Sequence, residues 1–288
     1  MPTDNSARDV PLIDRTALRR NRRRARTSGT APDFLHRIAA DETRERLAEI
    51  NRSFARLAVV TGWPEFWLEE FPDADIVADS GILDFGNAGL DLVVHAMSLH
   101  WANDPVGQLI QCRRALKPDG MLIACLPGGE TLAELRTAII SAESELCGGV
   151  SPRIIPMGGL RILGSLLQRA GFSLPVADRL AVQARYRSAL DLMHELRAMG
   201  EANALCGRSG RLAPRRLFDL TDEIYSSMFS LPDGRIPATF ELMFLTGWAP
   251  SPDQQQPLRP GSATSRLADA LSATEIRLPA DRPERADG

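Results

Sequence analysis

D-L-V-V-H-A-M-S-L-H-W-A-N-D-P-V-G-Q-L-I-Q-C-R-R-A-L-K-P-D-G, residues 91 to 120, is the stretch that decides the fold of this chain. It opens within an apolar run, Leu90 to Met97, of the kind needed by a parallel strand buried on both faces. Asp104 can cap a following helix whose first position is Pro105, where a missing N–H costs nothing. Val106, Leu109, Ile110 and Leu116 then fall on one helical face. Lys117-Pro118-Asp119-Gly120 has the chemistry of a tight turn, after which Met121 to Leu126 re-enters the sheet. Strand, helix and strand in this order predict a parallel crossover, one half of a doubly wound α/β fold.

Toward the N-terminus, Leu57 to Val60 reads as a buried strand, and Thr61-Gly62-Trp63-Pro64 turns the chain into a helix reaching Phe71. Asp75 to Ala78 is a second short strand, and Gly81 to Gly89 is loop. Further back, Phe34, Leu35, Ile38, Leu47, Ile50 and Phe54 are spaced for an amphipathic helix or helix pair that covers the sheet as a lid. Toward the C-terminus the pattern predicts helices over 131–146 and 160–170, the latter closed by Gly171, a strand over 176–186, a helix over 189–199 and a strand over 238–248. A helical insert occupies about 200–235. The expected organisation is a basic flexible arm over 1–32, a domain over 33–249 and an extended tail over 250–288 with a short helix near 265–271.

Composition narrows the class. With 288 residues, 44% hydrophobic and 25% charged, the chain can bury a sizeable core as an ordinary globular protein. A net charge of −3 gives no general attraction to nucleic acid, and none is expected as partner. Seven arginines between Arg15 and Arg26 read first as a solvated helical arm; the alternative is contact with an anionic membrane surface. Cys112, Cys125, Cys147 and Cys206 form no C-x-x-C pair, so buried thiols are expected and no metal site. With no apolar run long enough to span a bilayer and no secretory signal, a cytoplasmic location is expected.

Several segments carry a family resemblance: S-L-H-W-A-N-D-P at 98–105, R-A-L-K-P-D-G at 114–120, G-G-E-T-L-A-E-L-R at 128–136, G-G-V-S-P-R at 148–153, L-L-Q-R-A-G-F at 166–172 and M-G-E-A-N-A-L at 199–205. In these the chain resembles class I S-adenosylmethionine-dependent methyltransferase-fold proteins, in particular those similar to the mitochondrial complex I assembly factor that hydroxylates an arginine. More distantly it resembles the malonyl-carrier-protein methyltransferases of biotin synthesis. The resemblance implies a Rossmann-like seven-stranded sheet with helices on both faces and a reversed last hairpin. It also implies S-adenosylmethionine at the strand ends and a protein or acyl-carrier substrate, with a complex I subunit as the protein partner.

One half of the chain departs from that pattern. Where the family has G-x-G-x-G after its first strand, so that bare backbone can touch the cofactor, this chain has Gly62 followed by Trp63 and Pro64. Only 31 positions run from Val60 to Asp91, too few for the roughly 50 residues of a full strand-helix-strand-helix-strand passage. The N-terminal half is therefore read as shortened, with Asp75 to Asp79 matching the family's third strand better than its second. By resemblance the cofactor candidates are Gly62, Asp79 and Met97, with a degenerate cofactor motif.

The chemistry candidates lie at the other strand ends. His100 and Trp101 follow the central strand, where a histidine can serve as acid or base or simply pack with its neighbour. Gly128, Gly129, Glu130 and Thr131 follow the next strand; the glycines permit close approach and Thr131 can cap a helix. His100, Trp101 and Glu130 are the catalytic candidates, and Gly128, Gly129, Thr131 and Arg136 the substrate edge. Arg136 can anchor an anion or pair with Glu130 or Glu134. Glu201 and Asn203 can order a loop over the site. Two function classes follow: a methyltransferase-fold enzyme modifying a protein partner, or a non-catalytic assembly or binding factor on the same fold.

Overall fold

A computed structural model describes residues 11–28, 34–86 and 88–254 of the chain. All described helices and strands belong to the compact unit that ends at Ser251. The short helix expected near 265–271, with most of the tail, lies outside the described residues.

A six-stranded sheet forms the centre, with strands β1 (Leu57–Thr61), β2 (Asp75–Ala78), β3 (Leu90–Ala96), β4 (Leu116–Pro127), β5 (Ser173–Tyr186) and β6 (Ile236–Trp248). Their order across the sheet is β2-β1-β3-β4-β6-β5. The first four run parallel, and β6 lies antiparallel between β4 and β5. This is the Rossmann-like sheet with a reversed last hairpin that the resemblance implies. It has one strand fewer than the resemblance implies among the described residues. β2 pairs directly with β1, Ala58 facing Asp75 and Thr61 facing Ala78. It therefore stands in second place beside the first strand, not in third, because the short interval leaves no intervening strand to separate them.

Alternation along the central strands feeds two cores. Val59, Leu92, Val94, Met121 and Ile123 enter one cluster, while Ala58, Val60, Val93, Leu122 and Ala124 enter the other. Residues adjacent in a strand point to opposite faces, so a strand apolar at every position must be covered on both sides. Against the first face pack α2 (Phe34–Glu49), α3 (Pro64–Glu70), α5 (Ala133–Cys147), α7 (Ala189–Ala198) and α8 (Arg215–Phe229). Against the second pack α4 (Pro105–Ala115) and α6 (Leu160–Arg169). The expected lid is the single helix α2, whose Phe34 ring meets Phe240 edge-on at 5.6 Å. Gly171, at φ +80°, ends α6 in the left-handed conformation that glycine adopts without strain.

Where a solvated, flexible arm is expected, the described part of the N-terminus is a docked helix, α1 (Arg15–Thr27). Asp14 caps it, accepting from the backbone N–H groups of Thr16 and Ala17 at 3.0 Å each. Ala17, Leu18, Arg22 and Ala25 are buried, while Arg19, Arg20, Arg23 and Arg24 remain exposed. The arginine density hides a narrow apolar stripe at one helical face, and that stripe is enough to seat the helix. Ile13 adds an antiparallel bridge to Leu205.

Cys112 and Cys125 are buried free thiols, while Cys147 and Cys206 are exposed. His95 is fully buried in β3, its Nε2 2.9 Å from Gln108 Oε1, and burial pushes its imidazole down to about 4. The unfolded chain then binds the extra proton between the ordinary histidine value of about 6.5 and about 4. This contribution to stability is complete above pH 6.5 and is lost as pH falls through that window. Urea unfolding titrated from pH 7.5 to 5 should show a declining free energy whose slope flattens in His95→Asn; an unchanged slope would show that His95 is not its source.

Candidate functional site

The parallel register brings four strand ends into one line. Ala78 faces Thr61, Thr61 faces Ala96, and Ala96 faces Cys125. Chain leaving these ends, Asp79, Gly62, Met97 and Leu126, therefore gathers along one edge, where open α/β sheets hold their ligands. Gly62 and Asp79 are brought together there by a residue the sequence reading left in the arm. Arg22 of α1, buried to 4% exposure, donates from Nη1 to Asp79 Oδ2 at 2.8 Å. Arg15 donates from Nη2 to Asp79 Oδ1 at 3.1 Å and also reaches the Asp79 carbonyl. A Cβ on Gly62 would collide with the Arg22 guanidinium.

These residues do not fit S-adenosylmethionine. A nucleotide-type cofactor needs bare backbone and free N–H donors after the first strand and a carboxylate free for ribose hydroxyls. Here the Trp63 N–H donates to Thr61 Oγ1 at 3.0 Å, and Pro64 has no N–H. The Gly62 carbonyl accepts from Arg26 Nη2 at 2.6 Å, and both Asp79 oxygens already hold guanidinium groups. The open side of Gly62, which the cofactor would press against, is occupied by Arg22.

Beside this filled edge, a mainly apolar cavity of about 520 Å³ remains between α2, α5, α7 and the ends of β3 and β6. Met97, at φ 47°, belongs to its wall, together with Leu35, Leu135, Phe218 and Phe240; Gly62 and Asp79 do not. The cofactor candidates are thus divided, two at the arginine seat and one in the cavity. Trp101 and Glu201 also line the cavity. Trp101 Nε1 donates to Glu201 Oε2 at 2.8 Å, and His100 Nε2 lies 3.3 Å from the same oxygen. Burial pushes the Glu201 carboxyl up, but the bonds from His100 and Trp101 and the nearby Arg22 charge outweigh it, so it lies below the ordinary range. The His100 side chain is 5% exposed and packs its ring against Trp101 at 5.3 Å, outside the cavity wall. The pair therefore packs as one of its two sequence readings expects, and it adds a polar link to the loop at 201–205.

The loop after β4 is built differently from its prediction. Glu130 is exposed and absent from the cavity wall. Thr131 does cap nothing at α5, which follows Leu132 at φ 55° without a side-chain cap. Its hydroxyl instead accepts from the Glu241 N–H at 3.0 Å and donates to the Glu241 carbonyl at 3.1 Å, while Thr131 also lines the cavity. Gly128 is needed for contact, since a Cβ would meet Met243 and the Glu241 carboxylate; at Gly129 the nearest atom would be 3.6 Å away. Arg136 reaches the carbonyls of Gly129 and Thr131, at 3.5 and 3.3 Å, rather than Glu130 or Glu134.

Glu241 organises this loop and was missed by sequence reading. Its Oε2 accepts from the Glu130 N–H at 3.0 Å and its Oε1 from Arg179 at 2.9 Å, with the carboxylate buried in β6. An acid within the apolar run T-F-E-L-M-F-L was the available signal. Among the described residues no group of three or more His, Cys, Asp and Glu is placed to hold a metal ion, and no helix is long and apolar enough to cross a membrane. Glu241→Ala removes the Glu130 acceptor, a loss worth about 1–3 kcal/mol. Hydrogen–deuterium exchange over 128–132 should quicken roughly tenfold or more; unchanged protection would show that Glu241 does not fix the loop.

Residues 34–124 match the family described as methyltransferase domain. The chain is 39% identical over 200 residues to "Arginine-hydroxylase NDUFAF5, mitochondrial" of Danio rerio, covering 69% of this chain and 62% of that protein. It is 30% identical over 186 residues to "Malonyl-[acyl-carrier protein] O-methyltransferase" of Laribacter hongkongensis, covering 65% of this chain and 60% of that protein. The chain thus spans about three fifths of the length of these curated relatives. Among solved structures, the YcgJ protein of Bacillus subtilis aligns with a TM-score of 0.45 at 10% identity, over 74% of this chain and 98% of that one. The sheet order β2-β1-β3-β4-β6-β5 with its reversed hairpin is a Rossmann-like α/β architecture, and residues 34–124 are similar to the methyltransferase domain family.

Proposed function

We propose that this chain is a cytoplasmic protein that engages a protein partner through its apolar cavity and serves the assembly of respiratory complex I. The cavity carries the reading: about 520 Å³, enclosed by α2, α5 and α7, suits one long side chain offered by a partner segment. Its relatives named arginine-hydroxylases favour an arginine there. Leu35, Leu135 and Met97 would cover the methylene stem, and Glu201 supplies a carboxylate kept ionised by its neighbours. Methyl transfer from S-adenosylmethionine is less well supported, because the strand-end edge at Gly62 and Asp79 does not fit that cofactor.

Deletion of the gene in the source organism should lower assembled complex I several-fold on native gels, with recovery on re-expression of the chain. A photo-cross-linking phenylalanine derivative at Phe218, a half-buried residue of the cavity wall, should couple to a complex I subunit. Normal complex I in the deletion strain would overturn the proposal. So would a restored strain whose Phe218 probe never reaches such a subunit.

A further inference from the structure

We propose that α1 is the built-in occupant of the edge where this fold takes its cofactor, with Arg22 as an intramolecular ligand of Gly62 and Asp79, so that the folded chain neither needs nor binds S-adenosylmethionine. This concerns a different edge from the partner cavity and stands apart from the complex I reading.

The first support is steric. Gly62 provides the side-chain-free surface that the fold requires at this turn, and the atoms pressed against it are those of Arg22. On the other side of the same arginine stands Gly200, at φ +79°, where a Cβ would lie 3.2 Å from Arg22 Cα and Cγ and 3.0 Å from Trp63 Cζ2. Arg22 thus lies against two glycines, its guanidinium at Gly62 and its Cα and Cγ at Gly200, where a side chain on either would crowd it.

The second support is electrostatic. Asp79 follows the strand paired directly with β1, where the fold's ribose-binding acid stands. Its oxygens instead bind Arg22 at 2.8 Å and Arg15 at 3.1 Å, with side-chain exposures of 5% for Arg22 and 10% for Asp79. Without this carboxylate the buried arginine would lose its ion-pair partner and keep only the longer-range Glu201 charge, and two of its donors, Nε and Nη2, already lack hydrogen-bond partners.

The third is the anchoring, which marks α1 as a fixture and not a lid. Before the helix, Ile13 bridges Leu205 and Asn103 bonds both polar backbone groups of Ile13, at 2.8 and 3.0 Å. Within the first turns Asp14 pairs with Arg208 at 2.7 Å, and Asn21 Nδ2 donates to the Ala202 carbonyl at 2.9 Å. At its end Arg26 holds the Gly62 carbonyl and lies 5.2 Å over the Trp63 ring.

The test uses the full chain and titrates S-adenosylmethionine and S-adenosylhomocysteine calorimetrically into the unaltered protein and into Arg22→Met. No heat of binding is expected in the unaltered protein at ligand concentrations up to roughly 1 mM. Thermal unfolding supplies the second arm. Asp79→Asn should lower Tm by something on the order of 10 °C, since it leaves Arg22 buried without its counter-charge. In the Arg22→Met background the same substitution should cost less than half as much. Micromolar binding to the unaltered protein overturns the proposal outright. Binding that emerges only in Arg22→Met supports it, by showing that the Arg22 side chain fills the place the cofactor would take. An equal loss of Tm in both backgrounds would show that Asp79 does not act through Arg22. Should Asp79→Asn fail to fold, the two calorimetric measurements still decide the matter.

Discussion

Everything at the functional edge depends on the level register of β1, β2, β3 and β4. Because Ala78, Thr61, Ala96 and Cys125 stand opposite one another, the residues that follow them share one rim. A one-residue slip would turn each strand's side chains to the opposite face and exchange the two cores, which differ in every contributing residue. The rim is therefore fixed by burial on both faces of the sheet, before any polar contact is made. Asp79, Gly62 and Met97 need no contact with each other to be neighbours in space.

That rim divides into two parts of opposite character. At the β1 and β2 side it is polar and filled: two arginines converge on one aspartate, and a third holds a backbone carbonyl. At the β3, β4 and β6 side it is mainly apolar and open, with Thr131, Glu201, Arg153 and Arg197 among its polar lining. A methyltransferase of this fold would use the first side for its cofactor and the second for its acceptor. In this chain the second side holds the cavity, and the loop after β4 is fastened by Glu241 from a different strand.

Much of the scaffold was legible because its signals are local. The Asp104-Pro105 start, the apolar runs of β1, β3 and β4 and the Gly171 stop each act within a few residues, and these features form where their residues predict, except that β4 begins at Leu116, which leaves the helix face, and takes in the expected turn at Lys117 to Gly120. The shortened interval before Asp91 was also readable, although the place of β2 was not: length shows that a strand is missing, but pairing decides which position closes up. What sequence could not show were contacts between distant segments. Arg22 reads as one more charge in a basic run, and only a partner 57 positions away makes it a buried residue. Thr131 reads as a helix cap because its real partner, Glu241, is 110 positions distant. In both cases a local propensity pointed to a plausible role and a remote hydrogen bond displaced it.

The position of β6 carries a consequence for how the chain acquires this structure. β6 is an interior strand, bonded to β4 on one side and to β5 on the other, yet it is the last described strand in sequence. Until residues 236–248 join, β4 presents an open hydrogen-bonding edge and β5 has no partner at all. Closing the sheet there brings Pro127 beside Leu242 across more than a hundred residues, including the whole of α7 and α8. Such non-local pairing is slow, since loop closure must precede any reward from contact. Assembly of the sheet is thus a late event in which one C-terminal strand completes both the core and the loop anchor carried by Glu241, so a chain stalled before Ile236 would expose sticky strand edges and lack the fastening of the loop at 128–132 at the same time.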